Sequence, residues 1–264
     1  MNVILHYFAG QGAAIPPDAW LAQLVARMDE AEGDRAARWQ TMLVWLLKRW
    51  PAQEVEPPAL LRELAERPGA DQQRLREAAT LALLHCVIGA DQIADERIVD
   101  LVREKLAGDR PSMNMLSLLA FRNLEQFPEQ VDLLFHQHPA AQLSARRILG
   151  GSSNGSVAEV YGLLRDRIAH PKTPAEAIAA LRALVVVADR LNPQQQTELG
   201  DMLAELLSTS DDPNILAPAL IAYARVQRLE EWQAKDTVET GAGPRSAAET
   251  APLRKALELV PSER

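Results

Sequence analysis

Asp71 to Ile88 reads DQQRLREAATLALLHCVI. At helical spacing Leu75, Ala79, Ala82, Leu83 and Cys86 fall on one face, and Leu81, Leu84 and Ile88 make a second. The opening turn and a half, with Gln72, Gln73, Arg74, Arg76 and Glu77, stays polar. A helix that is apolar most of the way round has to be covered on two sides, as in the inner layer of a helical stack.

Other stretches repeat this arrangement of a short helix followed by a more apolar one. Leu21, Leu24, Val25 and Met28 precede a stripe of Ala36, Trp39, Leu43, Leu46 and Trp50. Pro57-Pro58 opens a short helix with Leu60, Leu61 and Leu64, stopped by Pro68-Gly69, and 71–88 is its partner. Ile98, Leu101, Val102 and Leu106 form another short helix. The spacing then predicts a longer one from Pro111 through Met115, Leu118, Leu119 and Leu124. Pro128 and Pro139 start the next pair. Residues 157–168 lead into AEAIAALRALVVVADRL at 175–191, and Pro193 and Pro213 start the last pair, with a kink expected near Pro218. Matching positions lie roughly 30–42 residues apart, within the range of helical arrays.

LREAATLALLHC at 75–86, AEAIAALRALVVVADRL at 175–191 and ILAPALIAYARV at 215–226 resemble the second helix of a HEAT repeat, and the leading prolines suit that family or its armadillo relatives. The resemblance spans residues 57–229. It implies a curved, right-handed stack of helix pairs that usually serves as a protein-binding scaffold, and it names no catalytic residue. The expected fold is therefore all-α, a right-handed α-solenoid of about six antiparallel helix pairs, with a closed multi-helix bundle as the alternative. Residues 1–230 are expected to form one repeat domain, with a hinge candidate in GGSSNGS at 150–156. A flexible linker over 231–252 and a short C-terminal helix or tail over 253–264 should follow, since periodicity is lost and then returns in Leu253, Leu257 and Val260.

Composition narrows the function classes. The apolar fraction is 47% but aromatics are only 5%, the palette of Leu, Ala and Val in helix-on-helix packing. A net charge of -8 argues against general affinity for nucleic acid or anionic lipid. No stretch approaches the ~20 apolar residues of a membrane span. The N-terminus has no Lys or Arg before its short apolar run, which argues against an export signal. With one cysteine, Cys86, no internal disulfide is available, and the expected setting is the cytoplasm.

Candidate chemistry is sparse. His136 and His138 are two residues apart without a supporting ligand trio, so no metal is expected. His85 adjoins Cys86, but neighbouring helical residues point apart by about a third of a turn, a poor geometry for a nucleophile and its base. GGSSNGS lacks the lysine of a phosphate loop and the preceding strand of a dinucleotide fold. Neither a cofactor nor catalysis is expected.

Two partner-binding features stand out instead. Arg76, Arg122, Arg146, Arg182 and Arg225 lie within or beside the more apolar helices, and residues 140–190 hold seven Lys or Arg against four Asp or Glu. In a solenoid such arginines line one face and bind an acidic or helical segment of a partner. The plainer reading pairs each with an acid such as Glu77 or Asp189. Met42 and Trp45, off the core stripe of their helix, form a second candidate anchor. The expected function is a non-enzymatic interaction scaffold, adaptor or assembly subunit. The alternative is a HEAT-like enzyme, such as an alkylated-DNA repair glycosylase or a chromophore lyase.

Overall fold

In the computed structural model, residues 18–50, 57–89 and 92–227 are described, with side chains from Leu21 onward. They form an all-α structure, and no strand occurs among them. The expected tail over 231–252 and 253–264 lies outside these residues, as does the N-terminal lead-in. None of the described helices is long and apolar enough to cross a membrane.

The described residues divide into two compact units, one within 18–119 with 123–129 and one within 120–122 with 130–227. The first contains α1 (Asp18–Asp29), α2 (Gly33–Leu47), α3 (Ala59–Glu66), α4 (Gln73–Val87), α5 (Glu96–Ala107) and α6 (Met113–Leu119). Here α1 packs on α2, α3 on α4 and α5 on α6, while α4 also meets α2, α5 and α6. The helix α4 is the opening stretch of sequence, and burial takes most of it: Leu75, Ala78 to Leu84 and Cys86 are all covered. Each leucine so buried contributes about 1.5–3 kcal/mol. Its predicted two apolar faces are both used.

The helices α2, α3 and α4 have no side-chain N-cap, so packing rather than capping carries this part of the unit. At α5 the Asp95 carboxylate accepts from the Arg97 N–H and also pairs with Arg62 at 2.8 Å. Ser112 donates to Glu77 at 2.8 Å, tying the start of α6 to α4.

The second unit contains α7 (Glu129–Asp132), continued by a 3-10 turn at Leu133–Phe135, then α8 (Pro139–Gly150), α9 (Asn154–Ala169), α10 (Pro174–Leu184), α11 (Pro193–Thr209) and α12 (Pro213–Val226). Its main contacts join α9 to α10, α11 to α12 and α10 to α12. The helices α9 to α12 all carry side-chain caps, from Ser153, Thr173, Asn192 and Asp212, and Asn192 forms a reciprocal capping box with Gln195. Arg167 pairs with Glu176, closing the turn between α9 and α10 and holding the Glu176 carboxyl below its ordinary range.

Several helices differ from their sequence expectation. The one from Pro111 stops at Leu119 instead of reaching Leu124, because Ala120, Phe121 and Asn123 take left-handed φ values of 49°, 58° and 53°. Such backbone costs roughly 1–2 kcal/mol at a residue with a Cβ. Buried Gln130 holds it in place: its Oε1 accepts from the Phe121 N–H at 2.8 Å and its Nε2 donates to the Arg122 carbonyl at 2.7 Å. The run at 175–191 is helical only to Leu184, where three consecutive β-branched valines follow; a 3-10 turn at Ala188–Arg190 completes it. The short-then-long order holds for α1 with α2, α3 with α4 and α7 with α8, but α6, α10 and α12 are shorter than the helices before them. In the pairs α9–α10 and α11–α12 the second helix is distinguished by apolarity, not by length.

GGSSNGS contributes to both helices that flank it. Gly150 ends α8, residues 151–153 turn, and Ser153 caps α9. Arg190 fastens this turn, donating to the carbonyls of Gly150 (2.6 Å) and Ser152 and to Asn154 Oδ1 (3.1 Å).

Candidate functional site

The arginines proposed from sequence separate into two groups. Arg76, in the first turns of α4, donates to the carbonyls of Arg67 and Gly69 at 2.8 and 2.5 Å and fixes the turn after α3. Arg122 lies in the left-handed segment, where Gln130 holds its carbonyl. Neither lines a groove with the others.

Arg146, Arg182 and Arg225 are gathered in the second unit. The helices α8, α10 and α12 enclose an open groove of about 440 Å³ lined by Leu143, Arg146, Arg147, Arg182, Val185, Val186, Ala217, Pro218 and Ile221. Leu143 and Ile221 are 45% and 51% exposed, large apolar side chains left uncovered at its edges. Arg225 extends the basic rim, its Nη1 donating to the Val185 carbonyl at 2.7 Å. Pro218 sits inside α12, and its ring forms part of the floor.

Helix chemistry explains how this much like charge is tolerated. Arg147, Arg182 and Arg225 each fall in the last turn of their helix, where the unsatisfied carbonyls carry partial negative charge. The Val185 carbonyl that Arg225 contacts belongs to the residue capping α10. Repulsion is still present. Burial lowers the Arg146 guanidinium from its ordinary value, and the neighbouring Arg182 cation lowers it further. Among the described residues no carboxylate pairs with Arg146, Arg147 or Arg182. Glu77, one of the acids proposed to neutralise such arginines, accepts from Ser112.

Met42 and Trp45 lie on α2 in the first unit. Trp45 is 38% exposed and Met42 half-buried. The Arg49 guanidinium stacks 4.1 Å from the Trp45 ring centroid, so one face of the proposed anchor is already occupied.

No group of three or more His, Cys, Asp or Glu suited to a metal occurs among the described residues. His136 and His138 stack with centroids 6.3 Å apart, and the His138 N–H donates to His136 Nδ1. His85 and Cys86 are consecutive residues of α4. His85 lines a smaller groove with Lys48, Leu81, Asn114, Ser117 and Leu118, and burial lowers its pKa. Cys86 is buried, which raises its thiol pKa, with the Trp50 indole beside it pulling the other way. A raised thiol is a poor nucleophile.

Sequence reading missed Leu143, Arg147 and Ile221. Arg147 and Ile221 lie in the later part of their helices and Leu143 in the first half of its own, each outside the buried positions of its helix. No protein-family model, curated protein or solved structure matches this chain.

Proposed function

We propose that the chain is a non-enzymatic protein-interaction module, a scaffold, adaptor or assembly subunit, that takes an acidic helical segment of a partner into the groove of its second unit. One observation carries this reading: Arg146, Arg147 and Arg182 surround an apolar floor with no carboxylate among the described residues to neutralise them. An amphipathic segment with acids beside its apolar stripe would meet both features at once. Solenoid stacking within each unit is part of the proposal, supported by principal contacts that join helices adjacent or next-but-one in sequence. So is a cytoplasmic setting, which rests on the single cysteine.

The DNA-repair alternative calls for aromatic rings and an acid beside the basic residues. The groove lining contains neither.

The test compares proteins captured by the full chain with those captured by the Arg146→Glu/Arg182→Glu variant. Partners specific to the groove should fall by roughly tenfold or more, the equivalent of 1.4 kcal/mol. Identical captured sets, with both chains folded, would remove the groove from the function.

A further inference from the structure

The carbonyl ends of two groove helices are served by arginines other than Arg146, Arg147 and Arg182. Arg190 donates to the Leu149 and Gly150 carbonyls at the end of α8, at 3.4 and 2.6 Å. Arg225 donates to the Val185 carbonyl that follows α10, at 2.7 Å. Those bonds offset part of the negative charge that a helix C-terminus would otherwise turn against an anion. What remains is a cluster of three guanidiniums in a lining that contains no Asp or Glu. Arg146 is half-buried and near enough to Arg182 for the two cations to repel each other. One carboxylate carries a single charge and leaves that pair half neutralised. A phosphoryl group carries close to two charges at neutral pH and offers three oxygens to guanidinium forks.

We propose that the acid this groove takes is a phosphoryl group, a phosphoserine of a partner segment with apolar neighbours, held between Arg146 and Arg182. This rests on the reading of the groove as a partner site and names the chemistry that the site selects.

The surroundings favour a phosphopeptide over the free ion. Leu143 lies one turn before Arg147 on α8 and Ile221 one turn before Arg225 on α12, and both are exposed. Val185, Val186 and Pro218 line the same groove. Inorganic phosphate would leave these side chains wet, whereas a peptide meets the cations and the apolar surface with one ligand. Every cation in the lining is an arginine, whose planar fork can meet two phosphate oxygens at once. A lipid surface is the weaker fit, because a net charge of -8 opposes approach to an anionic bilayer.

Fluorescence anisotropy of the full chain tests this with three matched peptide libraries. Each randomises Leu, Ile, Val and Ala on both sides of a central phosphoserine, glutamate or serine. The phosphoserine library should bind roughly tenfold more tightly than the glutamate library, with the serine library weakest. Arg182→Lys keeps the charge but loses the fork, and should weaken phosphoserine binding several-fold. Arg146→Glu/Arg182→Glu should abolish it, with circular dichroism reporting retained helix. Equal, arginine-dependent affinity for glutamate and phosphoserine overturns the phosphoryl assignment and leaves the acidic-partner function. Phosphoserine binding indifferent to both variants, or no binding of any library, overturns the assignment as well. So does equal affinity for inorganic phosphate, or tighter binding to phosphatidylserine vesicles, which would give the groove to a free ion or a lipid surface. Arginine-dependent phosphoserine binding alongside identical captured sets keeps the phosphoryl site and removes the partner function, so the two claims fail separately.

Discussion

The grooves of the two units are built from comparable parts and differ in what they offer. In the first unit α2, α4 and α6 surround His85 with Lys48, Asn114, Ser117 and two leucines. In the second, α8, α10 and α12 present three arginines over valine, proline and leucine. Both units have arginines on their more apolar helices, but location along the helix divides their roles. Arg76, near the start of α4, folds back onto turn carbonyls. Arg147 and Arg182, in the last turns of α8 and α10, stay in the groove. Arg76, early in its helix, closes the preceding turn, whereas Arg147 and Arg182, at the ends of theirs, are favoured by the helix dipole and left available.

That division predicts graded effects of removing each arginine. Arg190→Ala should be the most damaging, because it frees two turn carbonyls and Asn154 together. A loss of about 2–3 kcal/mol is expected from charged hydrogen bonds of this kind. Urea unfolding followed by circular dichroism measures it, and a loss under about 0.5 kcal/mol would mean the turn needs no clamp. Arg76→Ala removes two such bonds from a less buried place and should cost about 1–2 kcal/mol by the same measurement.

A smaller effect is expected from His85. Its folded pKa is depressed by burial, so the unfolded chain binds the proton first as pH falls. Stability is then full above the unfolded value near 6.5 and declines below it, until the folded value is passed. Thermal midpoints should drop between pH 7.5 and 5.5, and His85→Gln should flatten part of that drop. A variant with the unchanged slope would place the titration elsewhere.

The smallest change belongs to Arg182→Ala. It should leave stability within about 0.5 kcal/mol, because the side chain has no pairing carboxylate among the described residues and repels Arg146. If Arg182→Ala destabilises as much as Arg76→Ala, the contrast between clamping and available arginines fails.

Much of the helical pattern was legible in the sequence, for identifiable reasons. Pro58, Pro139, Pro174, Pro193 and Pro213 lie at or immediately before the first residue of their helices, as fixed φ requires. The apolar periodicity of 71–88 correctly implied cover on both sides. The end of α6 was not legible, because Ala120 and Phe121 give no local reason to turn left-handed. Their conformation is held by Gln130, a partner that becomes visible only after folding. The arginine stripe was half legible for the same reason. Composition located a basic region at 140–190, but could not tell a cation that closes a turn from one that lines a groove.

By itself, the sequence determined an all-α chain, its helix starts and the burial of α4, since these depend on local φ preference and on the spacing of apolar side chains. Tertiary structure alone decided where α6 stops and that Arg190 fastens 150–154. It also decided that Arg146 and Arg182 meet across a groove while Arg76 does not. Those outcomes depend on which carbonyls and side chains from distant positions come within hydrogen-bonding or Coulombic range, and that distance exists only in the packed molecule.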